Sequence, residues 1–381
     1  MNIKNVVVYP ISVSLDKPFY FSQGWVTNRS SLIVEIITDD GISGWGESLC
    51  HGLQSPHIAA AFIEKVFKPI LLGRDPFDVE VLWEEMYNIT RPYGQGGAAV
   101  NAISGVDIAL WDILGKALNQ PIHKLIGGAF RNEVMPYATG FYRVANAKYP
   151  EASIEEAHRY VESGFSAFKL KIGFGAEEDI KFMRAIREAV GDNVRIMADA
   201  NAAYNTAVAR RIIKHTEDLN LYFLEELLAP EDLVGYQQIK NMSATYIAAG
   251  EQVFGKMGYQ PWLQDRALDI IQPDLCSSGG ITEGKKIAAL AQASQTMMIP
   301  HVWGSGIGIA ASLQFMASLP PTPLSLNPIE PMLEFDQSSH PFRKDLIFDG
   351  IKMIEGKVQI PSQPGIGVEV NREILNQYKV N

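Results

Sequence analysis

Seven β-rich runs alternate with helical stretches across residues 134–303, and this rhythm constrains the fold more than any other feature of the chain. The runs are VMPYATG, AFKLKIG, VRIMADA, LYFLEEL, TYIAAGE, LDIIQPD and MMIPHVW. Between them lie stretches such as EEDIKFMRAIREAV, AVARRIIKHTEDL and TEGKKIAALAQAS. Strands separated by a helix of intervening chain pair in parallel, since the crossover needs that length. Crossovers of one hand carry each strand beside the last. Units in this number predict an α/β protein with a closed barrel over one with an open sheet. An eighth, weaker strand is placed in LSLNPI, residues 324–329.

The N-terminal part is organised differently. NVVVYPISVSL and SSLIVEIITDDGISGWGES are β-rich, and TDDG supplies a turn between two strands. From Ser55 to Tyr87, and again in AAVNAISGVDIALWDILGKALN, the pattern turns helical. There Ile103, Val106, Ile108, Leu110 and Trp111 form an apolar stripe that reads as core. Strands followed by helices predict a separate α+β domain ending near LIGGAF. The chain therefore divides into an α+β domain at 1–128, a barrel at 129–332, and a mixed segment of short strands and turns at 333–381.

Charge and cysteine usage narrow the function classes. A net charge of −10 argues against nucleic acid and against an anionic membrane as partners. Two cysteines, Cys50 and Cys276, give no disulfide framework. The N-terminus lacks a signal-peptide pattern, and no run approaches the roughly 18 apolar residues of a bilayer span. A soluble cytoplasmic protein is the expectation.

Lys169 and Lys171 alternate with Phe168, Leu170 and Ile172, so both ammonium groups share one strand face. On an open sheet that face would be solvated. The strands that follow end on Asp199, Glu225 with Glu226, Glu251, Asp274 and His301, and from Lys171 onward these recur every 23–28 residues. One acid at a strand end is ordinarily a helix cap or a turn residue. A set in register instead gathers at one mouth of the barrel, the C-terminal end where barrel enzymes carry their sites. Asp199, Glu225 and Glu251 form an all-oxygen cluster suited to a hard divalent cation such as Mg2+. Lys171 and His301 would flank the carbon next to a substrate carboxylate, with Asp274 orienting the imidazole. Lys171 must be neutral to act as a base, and Lys169 together with the cation is expected to lower its pKa.

With these residues in place, the chain resembles the enolase superfamily, specifically the mandelate racemase subgroup, over nearly its whole length. The resemblance implies a modified TIM-type barrel, (β/α)7β, under an N-terminal α+β capping domain, with the C-terminal segment completing the barrel edge and returning to the cap. KLK is similar to the family's KxK motif, with Lys171 as base and Lys169 as its partner. Asp199, Glu225 and Glu251 fall on the metal ligands, Asp274 and His301 on the Asp–His dyad, and Asn201 of DAN near substrate and metal. Glu334 of MLEFD resembles the strand-eight acid that bonds the developing enolate. EELLAP stands where relatives often have Glu-Glu-Pro-Leu, which leaves Glu225 in place. The implied chemistry is Mg2+-dependent abstraction of the proton α to a sugar-acid carboxylate through an ene-diolate. KIGFGAEEDI, QPDLCSSGG, PHVWGSGIGIAASLQFMA and NPIEPMLEFDQSSHPFR resemble the branch of cycloisomerases acting on galactarolactone or 3,6-anhydro-galactonate. Dehydration of an open-chain aldarate or aldonate, or racemisation or epimerisation, is the alternative. A homo-oligomer is implied as well.

Substrate choice in this family lies in cap loops, here FYFSQGWVTNRS and CHGLQ, with RPYGQGG as a further contributor. Tyr20, Trp25, Arg29 and His51 are the candidate contacts, set against a packing role for each. GSGIG at 304–308 reads as a tight turn and helix start, with phosphate binding as the alternative. Cys276 reads as packed, and His123, His158, His215 and His340 receive no role. The rival from another class is a catalytically silent barrel used for binding, which the intact base and metal sets argue against.

Overall fold

The computed structural model describes residues 1–380. Three antiparallel strands, Ile3–Phe21, Gly24–Thr38 and Ser43–Ser48, form the N-terminal sheet, and the short strand Arg143–Val144 joins it as a fourth beside the first. The Thr38–Ile42 turn joins the second and third, with Gly41 at φ +91° where a side chain would be strained. Against this sheet lies the helix Ala98–Ala117. It approaches so closely that a Cβ on Gly46 would stand 2.0 Å from the Gly105 carbonyl oxygen. This helix is long and apolar enough to cross a membrane, contrary to the sequence expectation, but 89% of its apolar window is buried in the protein. Its apolarity serves packing on both sides: against the sheet, and against the barrel through Trp111 Nε1, which donates to Thr282 Oγ1 at 2.9 Å.

Eight parallel strands make the second sheet. In spatial order they are Met297–Met298, Ile270–Ile271, Tyr246–Ala249, Phe223–Glu225, Arg195–Asp199, Ala167–Lys171, Pro136–Thr139 and Leu333–Asp336. Seven follow one another in the chain as predicted, and together with the separate N-terminal sheet they give the expected barrel and cap. The eighth strand is not in LSLNPI. Residues 324–329 form no strand, and Leu326 is 94% exposed. The prolines of PPTPLSLNPIEP deny the backbone the donors a ladder needs. The chain pairs instead through Leu333–Asp336 with Pro136–Thr139. The seventh and eighth strands share no ladder among the described residues; Val302 N–H donates across the gap to Glu334 Oε2 at 3.1 Å.

Strand alternation divides the barrel into two environments. Phe168 and Leu170 join the large core between strands and helices. Tyr137, Ala167, Met197, Phe223, Ala248, Ile270, Ile299 and Met332 pack as a separate apolar cluster. Ala167, Lys169 and Lys171 share one strand face by the same alternation, so both ammonium groups sit above that apolar cluster and not in bulk water.

Cap and barrel are joined by charge as well as by packing. Glu47, on the third cap strand, is 1% exposed. Its carboxylate accepts from Ser305 N–H at 2.9 and 3.0 Å, Ser305 Oγ at 2.6 Å and Gly308 N–H at 2.9 Å. It therefore occupies the N-terminus of the barrel helix Gly306–Ala317. GSGIG is a helix start, and the alternative of phosphate binding fails because the donors are already taken by the protein's own carboxylate. The C-terminal helix Arg372–Tyr378 lies against the first cap strand, and Arg372 Nη1 donates to Glu35 Oε2 at 3.0 Å.

Candidate active site

The parallel register sets the site. Lys171 pairs with Asp199, and Asp199 with Glu225, so three adjacent strands end at one level. Glu251, Asp274 and His301 lie two or three residues beyond their strands. After Asp199 the chain turns sharply: Asn201 and Ala202 both hold positive φ, +45° and +59°. Glu226 does the same at +42°. Backbone strain of this kind is stored where surrounding contacts enforce it. Here the Asn201 N–H donates to Asp199 Oδ1 at 2.8 Å.

Lys169 and Lys171 have separate partners. Lys169 Nζ is 2.7 Å from Glu225 Oε1 and 2.8 Å from Glu334 Oε1. Lys171 Nζ is 2.5 Å from Asp199 Oδ2 and 3.0 Å from Asn201 Oδ1. Thr139 Oγ1 also donates to Glu334, at 2.7 Å, and Gln272 Nε2 to Glu225 Oε2, at 2.8 Å. Across the mouth His301 Nδ1 contacts Asp274 Oδ2 at 2.7 Å, while Nε2 lies 3.1 Å from Glu251 Oε2. Cys276, packed and buried, donates its backbone N–H to Asp274 Oδ1.

Ligand atoms of Asp199, Glu225 and Glu251 all lie within 4.8 Å of one another, and all three residues are buried. Glu251 Oε2 accepts no hydrogen bond of good geometry. Three buried carboxylates facing one point, one with an oxygen left over, are the donor set of a hard cation. The residues present fit such an ion.

Electrostatics correct one expectation. Lys171 is held above its ordinary pKa: burial pulls it down most, but Asp199 together with Tyr142 and Glu251 outweighs that. Lys169 does lower it, as predicted, but less than Asp199 raises it. Lys169 is raised in the same manner, with Glu225 and Glu334 overcoming its burial. Burial lifts Glu225 to about 7. Burial would lower His301, yet Glu251, Glu334 and Asp274 raise it to about 10. Without a cation, the carboxylates of the site keep protons on both candidate bases.

A cavity of about 40 Å3 opens among these groups, lined by Phe21, His51, Tyr142, Lys171, Asn201, Glu251, His301 and Trp303. The cap hairpin closes it, since Ser22 Oγ donates to the Ala200 carbonyl at 2.8 Å and Gln23 Nε2 to that of Asn201 at 2.6 Å. A larger cavity, about 500 Å3, lies by the eighth strand near Phe335, His340 and Arg343; it contains neither the acidic cluster nor Lys171 and His301, so it is not the reaction site.

Of the cap candidates, His51 reaches the cavity and stacks on His301 with ring centres 5.9 Å apart. Tyr20 and Trp25 pack on each other at 4.5 Å, outside the cavity lining. Arg29 is not a cavity residue. It is 1% exposed, pairs with Asp336 at 3.0 Å, donates to Ser338 Oγ and the Ser339 carbonyl, and stacks on Trp303 at 3.9 Å. The packing reading holds for Arg29, because its charge is spent inside the protein. Phe21, Tyr142 and Trp303 were not singled out in the sequence. Phe21 and Trp303 stand within or beside motifs already noted, whereas Tyr142 follows an unremarkable first barrel strand.

Comparison with known proteins gives two matching regions. Residues 3–127 match the mandelate racemase / muconate lactonizing enzyme N-terminal domain, and residues 152–374 match the enolase C-terminal domain-like family. The chain is 40% identical over 381 residues to a D-galactarolactone cycloisomerase of Agrobacterium fabrum, covering 100% of this chain and 99% of that one. It is 35% identical over 346 residues to an arabinonate dehydratase of Saccharolobus solfataricus, covering 91% and 89%. Among solved structures, the 3,6-anhydro-D-galactonate cycloisomerase from Zobellia galactanivorans matches with a TM-score of 0.89 at 36% identity, covering 100% of both chains.

Proposed function

Since the chain belongs to the mandelate racemase and muconate lactonizing enzyme family of the enolase superfamily, we propose that it opens a lactone or anhydro form of a sugar acid to a 3-deoxy-2-keto acid. It is an enolase-superfamily enzyme, an isomerase or a lyase. One observation carries the reading: the carboxylate cluster, Lys171 and the His301–Asp274 pair converge on one cap-covered cavity. Similarity over the whole chain to two cycloisomerases supports the substrate class.

Members of this superfamily use a divalent metal, and Asp199, Glu225 and Glu251 would hold it here, with Mg2+ the ion that suits an all-oxygen set. When bound, the ion supplies positive charge to the substrate carboxylate as the neighbouring carbon loses its proton. Asp199 and Glu251, which face Lys171 and His301, would then no longer favour the protonated forms of those two groups. Lys171 then takes the α-proton, and the electron pair left behind forms a carbon–carbon double bond as the β-carbon–oxygen bond breaks. His301, its ring fixed by Asp274 at Nδ1, presents Nε2 to return a proton. Glu334, held by Lys169, Thr139 and Val302, stays ionised, because despite its burial Lys169 and His301 draw its carboxyl below the usual range, and it fixes Lys169 beside the cluster. If the departing oxygen belongs to a ring, the ring opens and no atom is lost.

The dehydratase similarity favours a second reading, in which an open-chain acid loses water after the same first step. Incubation with Mg2+ and D-galactarolactone or 3,6-anhydro-D-galactonate separates the two. A product of unchanged mass supports the cycloisomerase. Reaction only with open-chain acids, giving a product lighter by one water, replaces it with the dehydratase.

A further inference from the structure

Tyr142 stands in the cavity wall with Lys171, Asn201 and His301, and nothing in the proposed proton transfers uses it. Its ring is 9% exposed and fixed on several sides. Phe19 of the cap packs on it with ring centres 4.4 Å apart, and Val26 belongs to the same apolar cluster. Trp303 Nε1 donates to Tyr142 Oη at 2.9 Å. Trp303 is fixed in turn, because the Arg29 guanidinium lies 3.9 Å over its ring and is anchored on Asp336.

This network leaves one hydrogen unassigned. A phenol both donates and accepts. The accepting side of Tyr142 is filled by an indole, which can only donate. The O–H of Tyr142 donates to no protein group among the described residues. A purely structural tyrosine that is this deeply buried would find an acceptor for its proton.

We infer that Tyr142 is a specificity-determining donor whose hydroxyl, aimed by Trp303, hydrogen-bonds an oxygen of the bound sugar acid. Trp303 is the positioning residue: its N–H takes up one lone pair of the phenol oxygen and leaves the hydroxyl hydrogen free to point toward the ligand. Tyr142→Phe would keep the ring packing while removing this donor together with the acceptor of the Trp303 N–H. The inference rests on the sugar-acid reading of the site.

The test is calorimetric binding of D-galactarate and D-galactarolactone to the magnesium-loaded protein, with steady-state turnover measured alongside. Tyr142→Phe is expected to weaken binding and raise KM about ten-fold, the scale of one lost hydrogen bond in a closed site. Mg2+ affinity should not change, and Tm should fall only modestly, because Trp303 Nε1 loses its acceptor. Trp303→Phe should show a smaller loss, and the double variant should be no worse than Tyr142→Phe alone. Additive losses overturn the positioning role of Trp303. If wild type turns over D-galactarolactone and Tyr142→Phe matches it in both KM and affinity, the inference fails while the function stands. Ligand binding that depends on Tyr142 without any turnover leaves the inference standing and removes the proposed reaction. Absence of binding by either probe overturns both.

Discussion

Lys171 Nζ lies 2.5 Å from Asp199 Oδ2, so the proposed proton acceptor and a proposed metal ligand hold one another in the absence of an ion. A carboxylate shared in this way cannot serve both partners at full strength. On the proposed reading, an ion held by Asp199 would compete with the Lys171 ammonium for the same carboxylate.

Removal of divalent metal should abolish turnover and leave the fold intact, because the cluster sits at the barrel mouth above a separate apolar cluster. Circular dichroism and activity in excess EDTA, after metal analysis, check this; full activity in the verified apoprotein would contradict it. Asp199→Asn should weaken Mg2+ binding by removing one anionic ligand. Titration calorimetry showing unchanged affinity would count against the assignment.

Lys171→Ala and His301→Asn should each lower turnover by about 10²–10⁴-fold, the range of a positioned acid or base. The two need not fail alike. If Lys171 removes the α-proton and His301 acts later, only His301→Asn should still exchange that proton with solvent deuterium. Proton NMR in deuterated water reads this directly. Near-normal turnover by both variants would rule out the mechanism.

Arg29→Met should act on stability first. Asp336 is fully buried, and losing one of its two arginine partners leaves charge poorly compensated. The cost should be about 3 kcal/mol, the lower end for breaking a buried pair, because Arg343 remains at 2.8 Å. Urea unfolding measures it, and an unchanged midpoint would refute the structural role.

His340 should make the fold acid-sensitive. Burial, and after it Arg29 and Arg343, hold its pKa well below the ordinary 6.5. The unfolded chain therefore takes up this proton first. The contribution is fully present above about pH 6.5 and is lost as pH falls below it, at up to about 1.4 kcal/mol per unit. His340→Gln should flatten the decline in urea stability between about pH 6.5 and 5.5 by about 1 kcal/mol, since the full slope is reached only below that window. Parallel declines in the two proteins would dispose of the prediction.

The barrel was legible because each strand is a short apolar run ended by a polar group at near-constant spacing. That spacing brought Lys171, Asp199, Glu225, Glu251, Asp274 and His301 to one mouth in the structure. The eighth strand was misplaced because LSLNPI has the right apolar content, and only its prolines speak against pairing. The packing role of Arg29 could not be told from a substrate contact in the sequence, because its partner, Asp336, lies 307 residues further along the chain and no local pattern joins them. The protonation of Lys171 in the absence of a cation was illegible for a related reason. Sequence showed a like charge two residues away but not that an opposite one is nearer. Tyr142 carries no charge and ends no patterned strand, so nothing local distinguishes it from a core aromatic.

The carboxylate of Glu47 at the head of the helix following His301 has a bearing on engineering. Specificity in such a protein invites recombination: one homologue's lid joined to another's catalytic body. Here the lid supplies the terminal cap of a helix in the body, through bonds to Ser305 and Gly308. A chimera lacking an acid at this place would strand those donors next to the histidine loop, and a body produced alone would do the same. Exchange of specificity is therefore better attempted within the Phe19–Val26 hairpin, whose tip touches the barrel through two replaceable side chains, than across the junction that Glu47 seals.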